Sequence, residues 1–189
     1  MKIFAVTKLL QYVITNCSRE FEEVKSRNIS DVLSFEEQAI IYKYTEDGYE
    51  RLNERLRISK GKEFSQFGKF LDKALAKLPN YEDVTYRAVD LTNTELQKYI
   101  DAKENNSILV EHSFISASKS KAIANGFGKS CRFRIFSRSG KNIEEFAKYG
   151  INHPQNEKEI LFRPNSRFKV LEVTKYEQYT LITLEESKK

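Results

Sequence analysis

Three short segments of the chain, all after residue 80, carry side chains that could do chemistry. The first is residues 84–89, VTYRAV, a β-rich run that contains Arg87. Alternation along a strand places Arg87 on the same face as Thr85 and Val89. A guanidinium can bind a phosphate through two parallel hydrogen bonds. Arg87 therefore lies either at an exposed sheet edge or in a cleft that holds an anion.

The second segment, residues 113–118 (SFISAS), mixes small hydroxyl side chains with apolar ones. Period two places Ser116 and Ser118 on one face of a strand, with Ile115 and Ala117 on the other. Small hydroxyls leave room for a ligand and can orient a polar neighbour. The alternative is a strand end at which Ser118 caps the following helix.

The third segment is Glu157-Lys158-Glu159, which leads into the apolar run Ile160-Leu161-Phe162. Two carboxylates at i and i+2 on a strand face the same way. Their mutual repulsion raises the pKa of one of them. Such pairs serve acid–base or cation-stabilising chemistry, and the alternative is a charged strand end in solvent.

In this order, an Arg strand, a Ser-x-Ser strand and a Glu-x-Glu strand resemble the Arg–Ser–Glu class of ADP-ribosyltransferases. That class includes clostridial actin-modifying toxins, Rho-modifying exoenzymes and vertebrate arginine-specific ectoenzymes. The resemblance covers about residues 30–185 and extends to AIIYKYT (39–45), GYERLN (48–53) and FKV (168–170). It implies an α+β fold in which N-terminal helices pack on a mixed, mostly antiparallel two-sheet β-core.

The resemblance implies roles for four residues, with NAD⁺ as the substrate. Arg87 would bind the NAD⁺ diphosphate, and Ser116 would orient the catalytic glutamate and line the nicotinamide ribose pocket. Glu159 would hydrogen-bond that ribose and stabilise the cationic sugar as nicotinamide leaves. Glu157 would engage the acceptor, and glutamate at this position implies an arginine acceptor.

Three further residues complete the implied NAD⁺ site. Phe127 matches an aromatic in the loop around the phosphate and the nicotinamide. Ala88 stands where the family often has glycine or a second arginine, and Tyr44 would contact NAD⁺ from the helical side or be a helix-core aromatic. The loop over residues 146–156 would present the acceptor. Within it, Tyr149 or His153 would contact a target protein or be exposed loop residues.

Three functions follow from these observations. The main hypothesis is mono-ADP-ribosyl transfer from NAD⁺ to an arginine of a protein acceptor, with release of nicotinamide. An NAD⁺ glycohydrolase or a nucleic-acid-directed transferase would use the same chemistry, and the second of these has candidate basic residues in Lys119, Lys121, Lys129, Arg132 and Arg134. A non-catalytic binding module is the third possibility. The absence of tryptophan and of regular aromatic–basic alternation counts against it.

Helices are predicted for the first part of the chain. Ser34 is a candidate N-cap with Glu36 and Glu37 in the first turn, and Asp47-Gly48 should end that helix. Further helices are predicted from Tyr49 and over residues 67–78, the latter stopped by Pro79-Asn80.

Strands dominate the part after about residue 80. The predicted strands are 84–89, 108–117, 131–136, 159–162, 167–173 and 180–184, with short helices over 92–100 and 119–125. Helices first and strands afterwards indicate a single α+β domain over 1–189, with a helical part to about 80 and a strand-rich catalytic core over about 81–189.

The bulk properties agree with a small globular domain. The 189 residues carry a net charge of +5, which favours acidic partners. Two distant cysteines and two histidines argue against a metal site, and no apolar run is long enough for a membrane span. Residues 3–14 read as a strand or amphipathic helix rather than a signal peptide. We expect a soluble monomer, cytoplasmic or delivered as an effector.

Overall fold

The computed structural model describes residues 7–27 and 31–187. The part before residue 80 is helical, as predicted. Its elements are α1 (Lys8–Asn16), α2 (Ser18–Ser26), α3 (Phe35–Lys43), a π-helical turn (Tyr44–Gly48), α4 (Tyr49–Ile58) and α5 (Gln66–Lys77). Residues 8–14 are thus helical, whereas residues 3–6 of the predicted N-terminal segment lie outside the described residues.

The remaining part is rich in strands, also as predicted. The strands are β1 (Asn80–Tyr81), β2 (Val84–Val89), β3 (Ile108–Glu111), β4 (Ile115–Ser118), β5 (Cys131–Phe136), β6 (Gly140–Asn142), β7 (Glu159–Phe162), β8 (Ser166–Lys175) and β9 (Thr180–Glu186). Two helices interrupt them, α6 (Asn93–Glu104) and α7 (Lys121–Ala124).

The residues predicted to cap helices α3 and α6 do so in the structure. Ser34 caps α3 in a capping box with Glu37, whose carboxylate accepts a hydrogen bond from the Ser34 N–H at 3.1 Å. Thr92 and Glu95 form the same arrangement at the start of α6. This helix continues to Glu104, four residues beyond the predicted end.

The predicted end of the first long helix at Asp47-Gly48 is wrong. Gly48 has helical backbone angles, φ −74° and ψ −16°, so the chain passes through the π-helical turn directly into α4. A Cβ at Gly48 would lie 2.9 Å from the Phe67 ring. The glycine therefore permits close packing of α5 and does not end a helix.

The strands form one sheet in the order β1-β6-β7-β4-β2-β5-β9-β8-β3. Within the described residues, β5 and β9 make the one parallel pair, so the sheet is mixed as predicted. The prediction of two sheets is wrong, because β2 and β4 join the two groups of strands. Their pairing is narrow, however: it consists of the single Cα pair Tyr86↔Ser118.

The predicted strand over 108–117 is also wrong, because the structure divides it into β3 and β4. β3 lies at one end of the sheet against β8, whereas β4 lies between β7 and β2. Residues 112–114 connect the two strands.

Two apolar cores flank the sheet. The helical core gathers side chains of α1–α5 and extends to Leu161 of β7 and to Phe114, Ile143 and Phe146 in the connections between strands. The second core lies between α6 and the other strands, around Phe133. Burial of these side chains is the main favourable contribution to folding.

Cys17 and Cys131 are buried and unpaired. Among residues 7–27 and 31–187, no helix is long and apolar enough to cross a membrane.

Candidate active site

A cavity of about 910 Å³ opens between the helical part and the sheet. Its walls come from the π-helical turn, α4, β2, β4 and the segment that precedes β7. The structure brings all seven residues predicted for the site to these walls: Tyr44, Arg87, Ala88, Ser116, Phe127, Glu157 and Glu159.

Glu159 is the most deeply buried carboxylate of the cavity. It begins β7, pairs with Ser118 of β4, and is 5% exposed. The Ser116 hydroxyl lies close enough to the Glu159 carboxylate to favour the charged form. Burial raises the pKa of Glu159 to about 7; the Glu157 charge adds to this increase, while Ser116 and Arg87 oppose it.

Glu157 reaches the cavity by a different route from the one predicted. The two glutamates do not share a regular strand, because β7 begins only at Glu159 and Lys158 has a φ of 51°. The turn is held by the Glu157 backbone, whose N–H donates to the Tyr149 carbonyl at 2.8 Å. The Glu157 side chain is half-buried, and burial raises its pKa.

Ser118 does not cap the following helix. Its hydroxyl donates to the Glu157 carbonyl at 2.7 Å, while Ser120 Oγ accepts the N–H of Ile123 and caps α7. Ser118 therefore ties β4 to the glutamate segment.

Arg87 lies in an interior strand, between β4 and β5, so the alternative of an exposed sheet edge is wrong. Its side chain is mostly buried, and burial lowers its pKa. Guanidinium Nη1 donates to the Ser116 carbonyl at 2.6 Å. Because a guanidinium has five N–H donors, others remain for an anion.

Tyr44 both packs in the helical core and lines the cavity, which combines the two predicted alternatives. Asn53 Nδ2 donates to the Tyr44 hydroxyl at 3.0 Å, and Asn53 Oδ1 accepts the Phe114 N–H at 3.0 Å. Sequence reasoning missed Asn53. Its signal is an amide on the apolar face of α4, where the neighbouring buried positions are Leu52 and Leu56.

A second group of side chains that were not predicted from the sequence also lines the cavity. The Tyr99 hydroxyl donates to Glu111 Oε1 at 2.8 Å, and Lys98 Nζ lies 3.0 Å from the same oxygen. Burial raises the pKa of Tyr99. These residues come from α6 and β3, and no local pattern indicated that α6 and β3 would meet.

Phe127 stands at the rim of the cavity with 60% of its surface exposed. The loop that carries it approaches β2 closely, since a Cβ at Gly128 would lie 2.5 Å from the Val89 backbone. Asp90 Oδ1 then accepts the N–H groups of Lys129 and Ser130 at 2.9 and 2.8 Å. The loop is thus fixed to the end of β2 while the aromatic ring remains free.

The predicted loop over 146–156 consists of turns and bends between β6 and β7. Tyr149 lines the cavity and stacks edge-on against His153, with ring centroids 4.9 Å apart. In the part of the chain that the structure describes, no three His, Cys, Asp or Glu side chains are grouped to hold a metal ion.

The basic residues considered for nucleic-acid binding are partly engaged within the fold. Lys119 is ion-paired, the Arg132 guanidinium lies 3.9 Å from the Tyr179 ring centroid, and Arg134 donates to Thr183 at 3.3 Å.

The family model described as ADP-ribosyltransferase exoenzyme matches residues 18–189. A putative NAD(+)–arginine ADP-ribosyltransferase, Mav, of Mycobacterium avium is 32% identical over 146 residues, which make up 75% of this chain and 16% of the relative. The NAD(+)–protein-arginine ADP-ribosyltransferase Tre1 of Serratia proteamaculans is 30% identical over 162 residues, 84% of this chain and 34% of the relative. The chain therefore spans about a third or less of the length of these two relatives.

Solved structures show the same fold. Exoenzyme S of Pseudomonas aeruginosa, in complex with human 14-3-3 protein beta and bound to Carba-NAD, matches with a TM-score of 0.73 and 24% identity, over 95% of this chain and 87% of that one. The Vis ADP-ribosyltransferase in complex with agmatine matches with a TM-score of 0.65 and 23% identity, over 94% of this chain and 86% of that one.

Proposed function

The chain belongs to the ADP-ribosyltransferase exoenzyme family, and we propose that it transfers ADP-ribose from NAD⁺ to an arginine side chain of a protein, releasing nicotinamide. The observation that carries this proposal is the pair of glutamates, Glu157 and Glu159, in one cavity with a buried arginine. The names of the relatives Mav and Tre1 support the arginine acceptor.

Glu159 is the residue we assign to NAD⁺ cleavage. Breaking the bond between nicotinamide and ribose leaves positive charge on the sugar, and a fixed carboxylate stabilises that charge more in the transition state than in the ground state. Glu159 is suited to this role because it is withdrawn from water, while the nearby Ser116 hydroxyl favours its charged form. It must be ionised to act, so activity should increase with pH around its pKa.

Glu157 is the residue we assign to the acceptor. It is less buried than Glu159 and follows the loop that carries Tyr149, so it faces the side from which a protein would approach. A carboxylate there can bind an incoming guanidinium and accept its proton as the new C–N bond forms. Its raised pKa makes it a better base than an exposed glutamate.

Arg87 is assigned to the NAD⁺ diphosphate. Its Nη1 is bonded to the Ser116 carbonyl, which orients the guanidinium and leaves other donors for phosphate oxygens. Phe127 at the rim, Ala88 beside Arg87 and Tyr44 on the helical wall complete the assigned NAD⁺ contacts. The Carba-NAD bound to exoenzyme S supports a dinucleotide in a cavity of this fold.

The test uses labelled NAD⁺ with agmatine as a simple guanidine acceptor. The wild-type protein should label agmatine, Glu159→Ala should lose both transfer and NAD⁺ hydrolysis, and Glu157→Gln should lose transfer while retaining hydrolysis. Glu82→Gln is a matched control, because Glu82 is exposed and outside the cavity.

Each of the other hypotheses has its own outcome in this experiment. Hydrolysis without transfer to any guanidine or protein would favour an NAD⁺ glycohydrolase. Labelling of nucleic acid but not of agmatine would favour a nucleic-acid acceptor. Wild-type protein that turns over no NAD⁺, and so behaves like Glu159→Ala, would refute the enzymatic proposal and leave a binding module.

A further inference from the structure

The turn before β7 holds Lys158 in the left-handed backbone region, with a φ of 51°. Residues with a Cβ adopt this region only when neighbouring groups support it. Here the Lys158 N–H donates to Asn156 Oδ1 at 2.9 Å, and the Lys158 carbonyl accepts the Lys119 N–H at 3.0 Å. This turn directs Glu157 and Glu159 into the same cavity although they do not share a strand.

Glu144 lies behind this turn and fixes Asn156. Asn156 Nδ2 donates to Glu144 Oε1 at 2.6 Å, and Glu144 Oε2 is ion-paired with Lys119 Nζ. Since the amide nitrogen is committed to Glu144, the amide oxygen faces the Lys158 N–H. One carboxylate thus binds the side chains of both residues, Asn156 and Lys119, that support the left-handed turn.

The position of Glu144 is itself well determined. Its side chain is 13% exposed, and its carbonyl accepts the Ile151 N–H at 2.9 Å. A Cβ at Gly150 would lie 1.9 Å from the same carbonyl, so the loop closes tightly on this residue. Burial alone would raise the pKa of Glu144, but the hydrogen bonds from Lys119 and Asn156 outweigh it and lower the pKa. Glu144 is therefore a charged, fixed point in the loop.

The two cavity glutamates depend on Glu144 to different degrees. Glu159 is part of the sheet: it pairs with Ser118, and its carbonyl accepts the Ile143 N–H at 3.1 Å. Glu157 lies outside any strand; its N–H and carbonyl are bonded to Tyr149 and Ser118, and the direction of its side chain depends in addition on the turn at Lys158. Loosening the turn should therefore displace Glu157 while Glu159 stays in place.

We propose that Glu144 is a positioning residue that sets Glu157 for the acceptor, acting through Asn156 and the turn at Lys158. Neither Glu144 nor Asn156 is among the described residues that line the cavity, so neither acts on the substrate directly. The inference rests on the proposed function, because it assigns to Glu144 a role in transfer that is separable from NAD⁺ cleavage.

The test compares two rates for each variant: NAD⁺ hydrolysis without acceptor, and ADP-ribose transfer to agmatine with kcat and KM for agmatine. We expect Glu144→Ala to lower kcat/KM for agmatine by about tenfold or more, as displacement of a reacting group by a fraction of an ångström does, while hydrolysis changes by less than about twofold. Glu144→Gln should be intermediate, because the amide retains one acceptor oxygen but loses the charge that holds Lys119.

Asn156→Ala breaks the same connection from the other side and should reproduce the selective loss, even if Glu144→Ala fails to fold. The matched control is Glu145→Ala, an exposed residue next to Glu144, for which both rates should be unchanged.

Two results would overturn the inference: equal loss of hydrolysis and transfer in Glu144→Ala and Asn156→Ala, or unchanged transfer in both. Absence of NAD⁺ turnover in the wild-type protein would instead refute the proposed function, so the two failures are distinguishable.

Discussion

Replacing Glu159 with glutamine should stabilise the protein at neutral and alkaline pH and leave its stability nearly unchanged in acid. The pKa of Glu159 is raised from 4.5 to about 7, mainly by burial. Between these values the folded chain retains a proton that the unfolded chain has released. Because the folded state binds more protons over this interval, its stability falls as the pH rises from about 4.5 to about 7.

The size of the effect follows from the same interval. At 1.36 kcal/mol per pH unit, a pKa raised from 4.5 to about 7 corresponds to about 3 kcal/mol of free energy of unfolding. Glutamine mimics the protonated carboxyl group in shape and cannot ionise, so Glu159→Gln avoids this cost. For a chain of this length, about 3 kcal/mol corresponds to an increase in Tm of roughly 6–12 °C.

The assay is thermal unfolding of the wild-type protein and Glu159→Gln at intervals between pH 4.5 and 8.5 without NAD⁺. The difference in Tm should be close to zero at the acid end and should grow through pH 7. Glu82→Gln, at an exposed position, should show no such pH-dependent gain. A Tm difference that is constant with pH, or a glutamine variant that is less stable in alkali, would refute the burial of an ionisable group at this position.

Three further predictions concern the cavity and the fold. Ser116→Ala removes a hydroxyl that lowers the pKa of Glu159, so the rise of kcat/KM for NAD⁺ with pH should move to higher pH. A pH profile that does not move would contradict an effect of Ser116 on Glu159. Arg87→Lys should raise KM for NAD⁺ by about tenfold, because an ammonium cannot bind phosphate bidentately, and an unchanged KM in steady-state kinetics would exclude Arg87 from the diphosphate site. Arg163 contacts both carboxylate oxygens of Asp72, at 2.6 and 2.7 Å, so a double-mutant cycle of the two alanine variants in urea should give a coupling of about 1 kcal/mol. A coupling near zero would show that this partly exposed pair does not hold α5 to the turn between β7 and β8.

Features of the fold that depend on neighbours in sequence were predictable. The caps at Ser34 and Thr92 need only a hydroxyl and a glutamate three residues later, and both capping boxes formed. The predicted helix end at Asp47-Gly48 was wrong because it, too, rested only on neighbours in sequence. A glycine is locally compatible with the end of a helix, whereas here the close approach of the distant Phe67 ring explains why the residue is a glycine.

Features that depend on distant partners were not predictable from local patterns. The division of residues 108–117 into β3 and β4 follows from pairing with β8 and β7, which are 40 or more residues away along the chain. Asn53 and Glu111 belong to the cavity because α4 meets the residue before β4 and α6 meets β3. The residues assigned from the resemblance were found on the cavity walls because their order along the chain reflects a shared fold, which local spacing does not encode.

The narrow pairing of β2 with β4 has a consequence for motion. One Cα pair, Tyr86↔Ser118, joins β2, which carries Arg87, to β4, which pairs with the Glu159 strand β7. The hydrogen bond from Arg87 to the Ser116 carbonyl reinforces this junction. Backbone amides where β2 meets β4 should exchange with solvent deuterium faster than those in the broad ladder between β5 and β9, because fewer hydrogen bonds between the strands must open. A dinucleotide bound by Arg87 on one side and Glu159 on the other would stabilise this junction between the strands. Its binding should therefore slow amide hydrogen exchange in β2 and β4.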